Sequence, residues 1–239
     1  MPESPVITRL RPVAIVHRAG NNLEALRAAE AAGIDLVECD LWPYRGQVEV
    51  RHLKTFGNVP IPLLWDRKGW KHWWLAPGWR PRLRLRGLFT ARGPRTELML
   101  DLKGHDLRLS RAVLDAHEAA EDRPPLTVCS QSWELLDPFR DHGDIAVVHS
   151  VGNLRQLRRL DSQPGVSAVS IDRRLLSRAV ADELHGRGCF VMTWSVETWP
   201  QAEMLLDIGA DGIISSDLEV LRRVMAQRAT PAVPANHPA

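Results

Sequence analysis

Short apolar runs rich in Val and Ile alternate, along most of the chain, with stretches whose apolar residues recur at helical spacing. The runs predict strands near Val13 to Val16, Leu36 to Leu41, Leu98 to Leu102, Leu126 to Cys129, Ile145 to His149, Ala168 to Ile171, Phe190 to Trp194 and Gly212 to Ile214. Between them LEALRAAEAAG, LSRAVLDAHEAAE, NLRQLRRL, SRAVADELHGRG and WPQAEMLLDIG read as helices, several ending at a Gly suited to a left-handed cap. This alternation is the signature of βαβ units around a parallel sheet. Eight strands each followed by a helix suggest a closed (β/α)8 barrel filling residues 1–228 as a single domain. A doubly wound open sheet would produce similar local patterns, and periodicity does not separate the two.

The rhythm breaks between Lys54 and Arg95, which holds Pro60, Pro62, Pro77 and Pro81 and shows no clear helix. Within it RLRLRGL, Arg82 to Leu88, alternates charged and apolar residues at the strand period. We read the segment, about 54–95, as an insertion after the second strand. The Ala/Pro-rich tail, 229–239, is expected to be disordered.

Composition is that of an ordinary globular protein, 44% apolar and 25% charged, which excludes collagen-like and disordered classes. Net charge is only +2, yet eleven Lys or Arg face the single acid Asp66 between Arg51 and Arg95, so a basic segment sits on an acidic body. Trp65, Trp70, Trp73, Trp74 and Trp79 are interleaved with those cations. That mixture suits a lid with solvated charges, or peripheral contact with an anionic membrane surface. Nucleic acid is disfavoured, because stacking on Trp and Arg needs an organised groove. The N-terminus lacks the apolar stretch of a signal peptide and no run reaches the roughly 18 apolar residues of a spanning helix, so a cytoplasmic address is expected. Cys39, Cys129 and Cys189 are odd in number and lie in apolar runs, which predicts buried thiols.

In a barrel the loops after the strands share one face, so residues at strand ends converge. That rule gathers His17 and Arg18, Glu38 and Asp40, Asp101 and Lys103, and Trp194. Glu38 and Asp40 share one side of their strand, as do Asp101 and Lys103. Three carboxylates around one point repel unless a cation sits among them, and oxygen-only ligands suit Mg²⁺ or Ca²⁺. The alternative is an ionic network in which Arg18 and Lys103 neutralise the acids. His17 and His52 add imidazoles able to exchange protons near neutral pH.

HR at 17–18, ECDL followed by GQVEVRH ending at His52, LMLDLK at 98–103, VMTWSVE at 191–197 and GADGIISSDLEVL at 209–221 resemble, in order, the glycerophosphodiester phosphodiesterase family. The resemblance implies a TIM barrel that uses a divalent cation to hydrolyse a glycerophosphodiester to an alcohol and glycerol 3-phosphate. It implies His17 and His52 as the acid/base pair, and Glu38, Asp40 and Asp101 as ligands of Mg²⁺ or Ca²⁺. Arg18 and Lys103 would hold phosphate oxygens and Trp194 would wall the substrate pocket. A lysophospholipase D acting on a lysophospholipid substrate is a near variant; a catalytically impaired barrel that binds phosphate esters or anionic membranes is the alternative from another class. Three positions depart from the pattern: Asn21 stands where an acid is expected, Asp101 replaces Glu, and Leu53 replaces an Asp after His52.

Overall fold

The computed structural model describes residues 4–52, 54–55, 75–76 and 82–229. The Trp cluster from Trp65 to Trp79, Leu53 and the tail beyond Ala229 lie outside these residues. Every strand expected from the pattern is present: β1 (Val13–Val16), β2 (Leu36–Tyr44), β6 (Glu97–Leu102), β7 (Leu126–Ser130), β8 (Ile145–Val151), β9 (Ala168–Asp172), β10 (Phe190–Val196) and β11 (Gly212–Ser215). Each pairs in parallel with the next, and β1 pairs with both β2 and β11. The sheet is therefore a closed barrel, which decides against the open doubly wound alternative.

β3 (Gln47–Val50) folds back antiparallel on β2, pairing Leu41 with Val50 and Tyr44 with Gln47. The two-residue strands β4 (Lys54–Thr55) and β5 (Leu75–Ala76) pair with each other. Around the barrel run α1 (Leu23–Ala31), α2 (Leu85–Ala91), α3 (Arg108–Glu118), α4 (Leu154–Arg159), α5 (Arg178–Gly186), α6 (Trp199–Asp207) and α7 (Leu218–Ala226). Asn22 caps α1 by accepting from the Glu24 and Ala25 amides, and Asp217 caps α7 in the same way. Gly33 and Gly209 follow α1 and α6 at φ +67° and +107°, values that a side chain disfavours.

Two local expectations change. RLRLRGL is not a strand: Arg84 makes one bridge to Glu49 and α2 begins at Leu85. Leu85 and Leu88, three apart, are both buried there, a helical spacing that the charge alternation masked. After β7 there is no α-helix but two 3-10 turns, Trp133–Leu135 and Asp137–Phe139, with Pro138 at the start of the second.

Alternating side chains of the strands feed two cores. Val13, Ile15, Leu36, Met99, Cys129, Val148, Phe190, Met192 and Ile214 fill the barrel, while the opposite faces pack under the helices. Val6 and Ile7 plug the N-terminal end, where the Val6 amide donates to both oxygens of Glu97 at 3.0 and 2.8 Å. All three cysteines are free and buried. Among the described residues no helix is long and apolar enough to cross a membrane.

Candidate active site

The C-terminal rim of the barrel collects the singled-out side chains. His17 continues β1, its amide donating to Ser215 O at 2.8 Å, and Arg18 then turns left-handed at φ +59°. That unfavourable turn is held by the Arg18 amide, which donates to Glu38 Oε2 at 2.6 Å. His52 reaches the rim from the far side of the β2–β3 hairpin, because Arg51 N donates to Asp40 O at 2.9 Å. Its Nδ1 lies 3.2 Å from Asp40 Oδ2.

One carboxylate oxygen from each of Glu38, Asp40 and Asp101 falls within 4.8 Å of the others. Glu38 and Asp40 are almost wholly buried on β2, and Asp101 is partly buried on the neighbouring β6, paired in register with Asp40. Lys103 Nζ bonds Asp101 and, at 2.8 Å, Asp40 Oδ1. Arg18 Nε lies 3.7 Å from Asp40 Oδ2, and His17 Nε2 lies 4.0 Å from Glu38 Oε2. The ionic-network reading is thus realised at Asp40 and Asp101. Lys103, which also lines the cavity, brings its amine within reach of both carboxylates.

The charges remain unequally matched. Burial, reinforced by the charges of Asp40 and Asp101, pushes Glu38 well above the usual carboxylate range. Burial raises Asp101 as well: Lys103 pulls it down and Asp40 pushes it up, with a net upward result. Burial would raise Asp40 too, but hydrogen bonds and charge from His52 and Lys103 hold it below its ordinary value. Lys103 is raised against the effect of burial by Asp101, Asp40 and Glu38. His17 is lowered to about 4, first by burial and then by Arg18, with Lys103 and His52 adding to it against Asp40. An oxygen-only set whose members repel is the donor chemistry of a hard cation, and these residues fit Mg²⁺ or Ca²⁺.

A cavity of about 240 Å³ opens over this cluster, and His17, Arg18, Glu38, His52, Asp101, Lys103 and Trp194 all line it. The expected catalytic and substrate-contacting side chains therefore converge on one cavity. Its other wall carries Gln131, Ser150, Ser170 and Ser195, which sequence reasoning missed. Ser150 and Ser170 are register partners on β8 and β9, so inward parity at the strand ends was the signal available for them. Cys129 lies on the cavity floor, its thiol pushed up by burial and by the charges of Asp101 and Glu38.

Asn21, where an acid was expected, does not line the cavity. Its Nδ2 donates to Asp40 Oδ2 at 2.7 Å and its Oδ1 accepts from the Asp40 amide at 2.9 Å. The side chain lies behind Asp40 rather than beside it in the cluster.

The chain matches no protein-family model and no curated protein sequence. Solved structures match it along nearly its whole length. An Oleispira antarctica phosphodiesterase, solved with the product sn-glycerol-3-phosphate, superposes with a TM-score of 0.72 at 16% identity, covering 94% of this chain and 99% of that one. A glycerophosphodiester phosphodiesterase from Parabacteroides distasonis gives 0.71 at 16%, covering 92% and 100%. The Thermotoga maritima enzyme of that name gives 0.66 at 16%, covering 89% and 97%. At such identities the likeness is one of fold: this chain has the (β/α)8 barrel of the solved glycerophosphodiester phosphodiesterases.

Proposed function

We propose that the protein is a divalent-cation-dependent phosphodiesterase that hydrolyses glycerophosphodiesters to an alcohol and glycerol 3-phosphate. The observation that carries the reading is the meeting of three carboxylate oxygens within 4.8 Å on the rim that also holds His17 and His52. The product bound to the Oleispira antarctica neighbour supports the substrate class.

Glu38, Asp40 and Asp101 would hold Mg²⁺ or Ca²⁺, which would supply positive charge to offset that developing on the phosphoryl oxygens. Arg18, with its side chain 43% exposed at the cavity mouth, adds a guanidinium suited to phosphate. Lys103 joins it when released from the carboxylates, and Trp194 walls the substrate. Of the two imidazoles on the cavity, His17 and His52, one deprotonates the attacking hydroxyl while the other protonates the leaving alkoxide. His52 is oriented for its part by Asp40.

The serine-lined wall and the small cavity favour a deacylated head group over a lysophospholipid acyl chain. Peripheral contact with anionic membranes through the Trp/Arg segment extends the same reading by delivering substrate. Purified protein incubated with glycerophosphocholine or lysophosphatidylcholine, with Mg²⁺ or Ca²⁺, tests it by the release of choline and of its phosphoester partner. Turnover of glycerophosphocholine that stops on chelation is expected. Folded protein that turns over neither substrate with either ion leaves only the binding-module alternative.

A further inference from the structure

We propose that Asn21 is a positioning residue that acts through Asp40 to fix the tautomer and orientation of His52. The two oxygens of Asp40 face different partners. Oδ1 takes Lys103 Nζ, which also bonds Asp101, so this oxygen points into the carboxylate cluster. Oδ2 takes Asn21 Nδ2 at 2.7 Å and His52 Nδ1 at 3.2 Å, with Arg18 Nε farther off at 3.7 Å. Asn21 holds the same residue a second time through the Asp40 amide, at 2.9 Å to its Oδ1. A primary amide can donate to a carboxylate through its nitrogen and accept from a backbone N–H through its oxygen at once.

The consequence for His52 follows from donor and acceptor rules. Both oxygens of Asp40 already accept, Oδ1 from the Lys103 amine and Oδ2 from the Asn21 amide, so the carboxylate has no proton to offer His52. The proton between Asp40 Oδ2 and His52 therefore belongs to Nδ1, on a ring that lines the cavity. Were Asp40 to rotate about its own side chain, the cluster would gain an oxygen and His52 would lose the group that selects its tautomer. Asn21 prevents that rotation with one hydrogen bond and pins the backbone beneath it with another.

The position thus has two competing explanations with opposite signs. If Asn21 is a vacated ligand position, restoring an acid improves the site. If it is a clamp, Asn21→Asp places a second carboxylate against Asp40 Oδ2, removes the donor, and harms it.

The inference rests on the phosphodiesterase reading only for its kinetic half. Long-range ¹H–¹⁵N correlation of the His52 ring in the full chain reads the tautomer without any substrate. The wild type is expected in the Nδ1–H form. Asn21→Ala is expected to shift His52 to the Nε2–H form and to lower kcat for glycerophosphocholine by about 10- to 100-fold, with KM little changed. Asn21→Asp is expected to lower kcat at least as far. Asn22→Ala, which removes the neighbouring cap of α1, controls for stability: it should lower Tm and leave the His52 signals in place. An unchanged His52 tautomer in Asn21→Ala overturns the inference. So does Asn21→Asp with turnover or Ca²⁺ affinity above wild type. Absence of turnover in the wild type counts against the proposed function, while the ring signals still decide the role of Asn21.

Discussion

Glu97 and Asp101 stand four residues apart on the inward face of β6, one at each end of the barrel. At the floor, Glu97 is met by donors: the Val6 amide on both oxygens, the Thr127 hydroxyl at 3.3 Å and Arg9 at 3.6 Å. At the mouth, Asp101 shares one Lys103 with Asp40 and faces two other carboxylates. The same strand thus carries a buried carboxylate satisfied by its own chain and another whose surroundings repel it. The first joins the N-terminal segment to the barrel. The second stays among repelling carboxylates even with Lys103 on it, which is how a structural and a candidate chemical carboxylate separate along one strand.

The largest break in this comparison should come from the mouth. His17→Ala is expected to lower turnover by about 10²- to 10⁴-fold while leaving the melting temperature near that of the wild type. Loss of Tm with retained activity would place His17 in the scaffold instead. Glu97→Ala should do the reverse: it strands the Val6 amide and is expected to cost about 3 kcal/mol in a urea titration, with the Mg²⁺ or Ca²⁺ response preserved in the protein that remains folded.

A buried base in the outer layer sharpens the contrast. His149 lies under the helices against the edge of Trp133, with Arg140, Asp137 and Arg159 as the charged groups facing it. Burial, then Arg140, lowers it to about 4 from an ordinary 6.5. Between those values the unfolded chain binds more protons than the folded one. This contribution to stability is therefore complete above pH 6.5 and is lost as the pH falls toward 4, by up to about 3 kcal/mol. His149→Gln should flatten denaturation midpoints measured across that window. The smallest expected effect is thermodynamic: at a hundredfold excess over its dissociation constant the ion should stabilise the wild type by about 2.7 kcal/mol. EDTA should remove this increment and Asp101→Asn should lack it, as read by thermal unfolding with and without Ca²⁺.

Strand positions were legible because burial on both faces writes continuous Val, Ile and Leu runs, as in LVEC and FVMT. The convergence of His17, Glu38, Asp40 and Asp101 was legible for a related reason: parity and strand ends are local properties that a barrel turns into proximity. The α2 helix was not, since seven residues of RLRLRGL satisfy period two and the Leu85/Leu88 spacing together, and packing under β3 decided between them. The part played by Asn21 was hidden for a different cause. Whether a polar residue just after His17 faces the cluster or backs Asp40 depends on the 3-10 turn at Ala19–Asn21, which no residue pattern announces.

Pattern along the chain was thus enough to specify eight inward-facing strand ends and the acids and imidazoles they carry, because alternation is read from neighbours two apart. Which of those acids would be matched and which left in conflict was settled only when the barrel closed. Closure brings Val6 under Glu97 and Lys103 between Asp40 and Asp101, and the energy of a buried charge depends on distances across space that chain order does not contain.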